Sequence, residues 1–192
     1  MSGIGYTTHI GLLNMIKKIK LNYDWSEFLP PKQDYSVHKG SCLTHQELTD
    51  IHQEYGLGET YTTENTVIQQ LWYTDKQVDF EELGKQTGME VITVSSILQP
   101  PGNVIALHRD TFYQIKKKFP NDKRLKVRAN IYLEDWVVGH MLQYKSEEDG
   151  VWKTSDNWKA GDGFVWDSKP LHLSANAGMK DKYTLQISGF LV

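Results

Sequence analysis

Two segments carry metal-ligand chemistry at a telling spacing. His108 and Asp110 stand one residue apart at the end of the apolar run Val104-Ile105-Ala106-Leu107, and His172 closes the segment Phe164-Val165-Trp166-Asp167-Ser168-Lys169-Pro170-Leu171-His172. On a pleated strand, residues i and i+2 point to one side, so His108 and Asp110 can reach one ion together. His172 would complete the set from a distant strand. Two imidazoles and one carboxylate on one face of an octahedral metal leave the opposite face open, a donor set suited to non-haem Fe(II) oxygenases, whose cosubstrate and dioxygen take the open positions. A lone His-x-Asp also occurs in ordinary polar loops, so the residues around it carry the weight.

Between the two segments, residues 124–133 alternate strictly. Leu125, Val127, Ile131 and Leu133 mark an apolar face, while Arg124, Lys126, Arg128, Asn130 and Tyr132 share the other. Such a row is either a solvated surface or, in a barrel whose interior holds a metal, a cavity lining that meets an anionic cosubstrate through charge-assisted hydrogen bonds. Lys182, ten residues beyond His172, has the same two readings: a charge on the solvated turn Lys180-Asp181-Lys182, or an anchor for the far carboxylate of a dicarboxylic acid whose near end chelates the metal. Asp167 either accepts from the remote imidazole nitrogen of His172 or caps the turn before it. His140 has no carboxylate two residues away and reads as a strand-edge histidine. His9, His38, His45 and His52 are assigned no metal. The tryptophans at 136, 152, 158 and 166 read mainly as core and rim.

The elements that must position these groups change character at Gly88. Before it, apolar residues recur at helical spacing over residues 10–19, and Thr44 with Glu47 forms a capping box for a helix that carries Leu48, Ile51 and Tyr55. A third short helix is expected over 79–85, with extended stretches at 33–37 and 66–72. After Gly88, strands are expected at 90–98, 104–108, 124–133, 140–144, 163–166 and 183–191, punctuated by Pro and Gly, with a turn at Pro100-Pro101-Gly102-Asn103. Short strands at this spacing indicate a sandwich or barrel, and the helices with apolar faces are expected on the outside of one sheet.

A chain of 192 residues is expected to form one domain. Its net charge of −3, with Lys116-Lys117-Lys118 as the single concentration of cations, argues against nucleic acid as a partner. That run is expected on a solvated face. No apolar stretch is long enough to cross a bilayer. The one cysteine, Cys42, excludes an internal disulfide. In the N-terminal apolar stretch the lysines follow the apolar residues, the wrong order for a signal peptide, so a cytoplasmic location is expected.

Taken in order, Ser96-Ile97-Leu98-Gln99-Pro100-Pro101-Gly102, His108-Arg109-Asp110, the strand 124–132, Trp158-Lys159-Ala160-Gly161-Asp162-Gly163-Phe164-Val165-Trp166-Asp167 leading to His172, and Lys182 resemble the Fe(II)- and 2-oxoglutarate-dependent oxygenases, in particular their aspartyl/asparaginyl β-hydroxylase and bacterial proline hydroxylase branch. The likeness covers about the last hundred residues. It implies a mainly β fold with flanking helices, a double-stranded β-helix of jelly-roll, cupin-like form over 88–192, with 1–87 as a mixed helical and extended part packed on the barrel. It further implies that His108, Asp110 and His172 hold Fe(II), that Ser96, Tyr132 and a basic residue among Arg124, Lys126 and Arg128 contact 2-oxoglutarate, and that Lys182 holds its distal carboxylate. O2 would be the oxidant, and a free amino acid or a peptidyl side chain the substrate. Two departures matter. The animal β-hydroxylases lack the triad carboxylate that Asp110 supplies here, and the usual distal arginine is a lysine. The alternatives are a metal-dependent cupin enzyme that does not use 2-oxoglutarate, and a non-catalytic cupin-like binding module.

Overall fold

In the computed structural model, residues 16–30, 34–39, 49–55, 66–146 and 149–192 are described. Between residues 89 and 191 the chain runs mainly as strands joined by loops and one short helix. β4 (Met89–Gln99), β5 (Val104–His108), β6 (Lys126–Tyr132), β7 (His140–Lys145), β8 (Trp152–Ser155), β9 (Asp162–Trp166), β10 (His172–Asn176) and β11 (Lys182–Leu191) fall into two sheets. One has the order β9-β6-β11-β4 within a seven-stranded sheet, and the other the order β5-β10-β7-β8. All pairs are antiparallel. Strands that follow one another in sequence thus mostly change sheet, which is the doubled Greek key of a jelly roll, the double-stranded β-helix expected.

The larger sheet is extended by three earlier strands, β1 (Lys17–Lys20), β2 (Ser36–Lys39) and β3 (Val67–Tyr73). β1 corrects the expectation of a helix over residues 10–19. Residues 17–20 pair with β9, Lys17 opposite Val165 and Lys20 opposite Asp162; residues 10–15 lie outside the described set. Without β1, β9 would present an unpaired edge of N–H and C=O groups, and pairing that edge outweighs local helix propensity. The capping box at Thr44 and Glu47 also lies outside the described residues, as does Cys42; α1 (Thr49–Glu54) is observed beyond it. His38, assigned no metal above, lies on strand β2.

The alternation of β6 is used in an inverted sense. Its apolar residues Val127, Ala129 and Ile131 join Val94, Leu185, Ile187 and Val165 on the outer face of the large sheet, where Leu21, Phe28, Val78 and Leu83 cover them. α2 (Phe80–Thr87) supplies Leu83 and lies against β4. Its start is capped by Asp79, whose carboxylate accepts from Glu82 N at 2.9 Å, and Gly88 ends it at φ 72° with its N–H on Gly84 O at 2.8 Å. The polar residues of β6 are left to face the other sheet.

Close approach also explains one glycine. A Cβ on Gly163 would press into the carbonyl oxygen of Asn130 and the Ile131 side chain, because β9 pairs closely with β6 there, Gly163 opposite Ile131. Gly163→Ala is therefore expected to lower stability by about 1–3 kcal/mol, read as a drop in the thermal midpoint by circular dichroism.

The structure adds α3 (Tyr113–Lys118) and β8, which no sequence pattern had indicated. The Lys116-Lys117-Lys118 run forms the exposed last turn of α3, where the helix dipole favours cations.

Candidate active site

β5 and β10 run antiparallel, and their register puts His172 opposite His108. The two imidazole centroids lie 4.2 Å apart. Asp110, two residues past His108, turns its carboxylate to the same point, so one ligand atom from each of His108, Asp110 and His172 lies within 4.8 Å of the others. Each imidazole is oriented by the backbone. His108 Nδ1 meets Ala106 O at 2.7 Å and His172 Nδ1 meets Pro170 O at 3.0 Å. With Nδ1 donating to a carbonyl, Nε2 of each ring keeps its lone pair for a metal.

The electrostatics favour the same protonation states. Burial, together with the neighbouring His172, pushes His108 down to about 3, and burial lowers His172 as well. Burial alone would raise the Asp110 carboxyl. The adjacent Arg128 guanidinium, followed by His172, His108 and the Trp166 N–H, outweighs it and holds the group below the usual carboxylate range. Neutral imidazoles and an ionised carboxylate are the ligating forms, and a two-histidine, one-carboxylate set of this kind fits a divalent iron.

The triad opens on a cavity of about 330 Å³ between the two sheets, near the lower end of the range for small-molecule sites. Arg128, Asn130 and Tyr132 line it from β6, and Lys182, Thr184, Gln186 and Ser188 from β11. Toward the mouth stand His38 of β2, Gln70 and Trp72 of β3, and Tyr113 of α3.

Lys182 is only 2% exposed. Its Nζ donates to Met141 O at 2.8 Å, to Gln99 Oε1 at 3.2 Å and, more closely, to Ser174 Oγ, and it lies 5.8 Å from the Trp158 ring centroid. All three acceptors are neutral. Burial, with no compensating carboxylate among the described residues, pushes the ammonium down to about 7.

Of the other cosubstrate candidates, Arg128 and Tyr132 line the cavity, while Ser96 and Lys126 do not. Ser96 is a correction. Thr93, Ile97 and Gln99 face the cavity from β4, so the period of two turns Ser96 outward, where its hydroxyl bonds Tyr35 and Tyr73, each at 2.9 Å. Lys126 is a second correction, because it sits at the first position of β6 and spends its ammonium on Asp122 O at 2.9 Å. Arg124 is likewise outside, paired with Asp122 and Glu90. Arg128 forms an ion pair with Asp110. Tyr132 stacks on Trp158 at 3.7 Å between centroids.

Three groups with work to do were not singled out as such. Trp166 donates from Nε1 to Asp110 Oδ2 at 2.7 Å, and Gln99 and Ser174 receive Lys182. Ser174 was readable as the i+2 neighbour of His172 on one strand, and Gln99 as the inward continuation of Ile97. Asp167 proves to be a cap, accepting from Lys169 N at 2.8 Å, since Pro170 O serves His172 instead. His140 opens β7, buried with its Nε2 on Lys180 O at 3.0 Å. Among the described residues no helix is long and apolar enough to cross a membrane.

No family model and no curated protein matches this sequence. Solved structures of similar shape include a prolyl-4-hydroxylase of Pseudomonas putida, with 20% identity, coverage of 82% of this chain and 92% of that one, and a TM-score of 0.48. A viral collagen prolyl hydroxylase of Paramecium Bursaria Chlorella virus-1, solved as a 2OG complex, has 16% identity, 81% and 95% coverage and a TM-score of 0.46. The non-heme alpha ketoglutarate dependent carbocyclase SnoK from nogalamycin biosynthesis has 13% identity, 82% and 79% coverage and a TM-score of 0.49. A predicted oxalate decarboxylase of Thermotoga maritima is similar over 65% of this chain at a TM-score of 0.39. Folds of this kind host several chemistries, so function must be read from this chain's own side chains.

Proposed function

We propose that the chain is an Fe(II)- and 2-oxoglutarate-dependent oxygenase that hydroxylates a small molecule of amino-acid type or a peptidyl side chain. The observation that carries this reading is the Lys182 ammonium, buried in the same cavity as the triad with only neutral acceptors among the described residues. Burying a cation without an anion is costly, and the cost is offset when a ligand brings the anion. A dicarboxylic acid that chelates a metal at one end and meets Lys182 at the other satisfies both halves of the cavity. Held by His108, Asp110 and His172, Fe(II) would supply the redox chemistry by which one oxygen atom of O2 goes to the substrate C–H bond and the other to 2-oxoglutarate, which leaves as succinate and CO2.

The side chains of this chain do the rest. Lys182, Ser174 and Gln99 bind and orient the distal carboxylate. Trp166, Phe112, Tyr132 and Leu142 line the cavity with rings and alkyl groups, which limits bulk water beside the triad. The rim residues Trp72, Tyr113, Gln70 and His38 are where the substrate meets the protein. Succinate release from 2-oxoglutarate with added Fe(II), screened across free amino acids and short peptides, tests the proposal. If metal-loaded protein shows no 2-oxoglutarate binding by calorimetry, the cosubstrate assignment fails and a barrel enzyme working without it takes its place.

A pH prediction follows from Lys182. The free lysine is charged below about 7 and neutral above it, whereas the bound dianion requires it charged. Binding of 2-oxoglutarate therefore takes up close to one proton well above pH 7 and none well below, and affinity falls by up to about tenfold per pH unit above 7. Calorimetry in buffers of different ionisation enthalpy measures that uptake. Uptake that persists in Lys182→Met would assign it to another group.

A further inference from the structure

We infer that Arg128 serves the metal through Asp110, as the centre of a three-strand row that aims this ligand, and does not anchor the cosubstrate. The inference rests on the triad being a metal site. Asp110 follows the end of β5 and belongs to no strand, so no ladder fixes it. Side chains from three other strands do. β9, β6 and β11 lie side by side, and their register sets Trp166, Arg128 and Ser188 level with one another. Trp166 Nε1 donates to Asp110 Oδ2 at 2.7 Å, and Arg128 Nη1 pairs with Oδ1. Arg128 Nε donates to Ser188 Oγ at 3.0 Å, and its guanidinium lies 5.4 Å from the Phe112 ring centroid.

Each oxygen of Asp110 thus receives one donor from a different strand. Arg128 in turn is held in plane by Ser188 and Phe112. Phe112, two residues past Asp110, has φ 52°, a left-handed conformation that a side-chain-bearing residue keeps only where its surroundings enforce it. The whole turn that carries the carboxylate is therefore pinned to the large sheet. A lysine at 128 would bring a point charge without the fork that reaches Asp110 and Ser188 together.

Two physical effects of removing Arg128 have opposite signs. Loss of a positive charge beside a cation site tightens metal binding by simple Coulomb repulsion. Loss of the donor that aims the carboxylate weakens it, and outer partners of metal ligands typically account for about 10–100-fold in affinity. A two-donor clamp on a loop-borne ligand puts the second effect ahead.

The test titrates Co(II) into the full chain and then 2-oxoglutarate into the Co(II)-saturated protein. Arg128→Met is expected to weaken Co(II) by about 10–100-fold and to alter the Co(II) absorption bands, while 2-oxoglutarate affinity at saturating metal stays close to that of the parent. Arg128→Lys should recover only part of the loss. Lys182→Met should show the converse, with Co(II) binding kept and 2-oxoglutarate lost. Trp166→Phe, which removes the other donor and keeps a ring, should weaken Co(II) in the same direction and supplies the answer if Arg128→Met does not fold. Unchanged or tighter Co(II) binding in these variants overturns the inference, and so does a loss of 2-oxoglutarate affinity in Arg128→Met as deep as in Lys182→Met. Failure of the parent chain to bind Co(II) at all would instead remove the triad reading, and this inference with it.

Discussion

Asp110→Asn is expected to abolish the proposed metal binding and 2-oxoglutarate turnover while leaving the barrel folded. The substitution keeps the shape of the side chain and one oxygen, enough for either the Arg128 or the Trp166 donor but not both, and it removes the one anionic ligand of the set. Alanine at the same position is less informative, because it removes both acceptor oxygens and the side-chain volume as well, so that a loss of stability would be mixed with the loss of the ligand. His108→Ala and His172→Ala are expected to abolish the same two properties. Both residues sit on paired strands whose ladder is independent of the ring. Elemental analysis for metal, a succinate assay and a thermal melt together check the prediction. Full turnover in Asp110→Asn would mean that the carboxylate is not a ligand.

Lys182→Met is expected to weaken 2-oxoglutarate by about two orders of magnitude or more and to make the ligand-free protein more stable. The first effect follows because the distal carboxylate would face an apolar side chain, and losing one member of a buried, hydrogen-bonded charge pair costs about 2–5 kcal/mol. The second follows from the lowered ammonium. In the unfolded chain this lysine titrates near its ordinary 10.5, and in the fold near 7, so its unfavourable contribution is absent above about 10.5 and complete below about 7. Methionine removes that cost and keeps most of the volume. Ser174, Gln99 and Met141 each lose a donor, which offsets part of the gain, although Ser174 Oγ retains Gln99 Oε1 at 2.7 Å. A net gain of about 1–3 kcal/mol is expected near pH 7. Denaturant unfolding of the ligand-free protein and calorimetry of the loaded protein measure the two effects. A variant that loses stability and keeps its affinity would show Lys182 to be structural.

The strands from Gly88 onward, β8 and β10 apart, were legible because period-two patterning and Pro or Gly punctuation are local properties. β5 is observed over the residues expected, and β4, β6, β7, β9 and β11 differ by one or two residues at their ends. The segment over residues 10–19 was misread for the complementary reason. Its apolar spacing suited a helix, yet residues 17–20 are claimed by the open edge of β9, a partner more than a hundred residues away. Ser96 was misassigned by likeness alone, although the alternation of β4 already placed it on the face opposite Gln99.

What the amino-acid sequence determined by itself was the ligand inventory: two imidazoles, one carboxylate and a lysine, with the first imidazole ending a strand and the carboxylate just beyond it. What only the tertiary structure decided was direction. The same alternation in β6 is compatible with a solvated polar face or a polar interior, and the choice fell to the apolar cover from Leu21, Phe28, Val78 and Leu83, which claims the other side of the sheet. Once that face is buried, Arg128 has to look inward and finds Asp110. Lys182 closes over neutral acceptors for the same reason. Strand periodicity sets which side chains share a face, but which face is inside depends on burial against distant segments, and no local pattern records that.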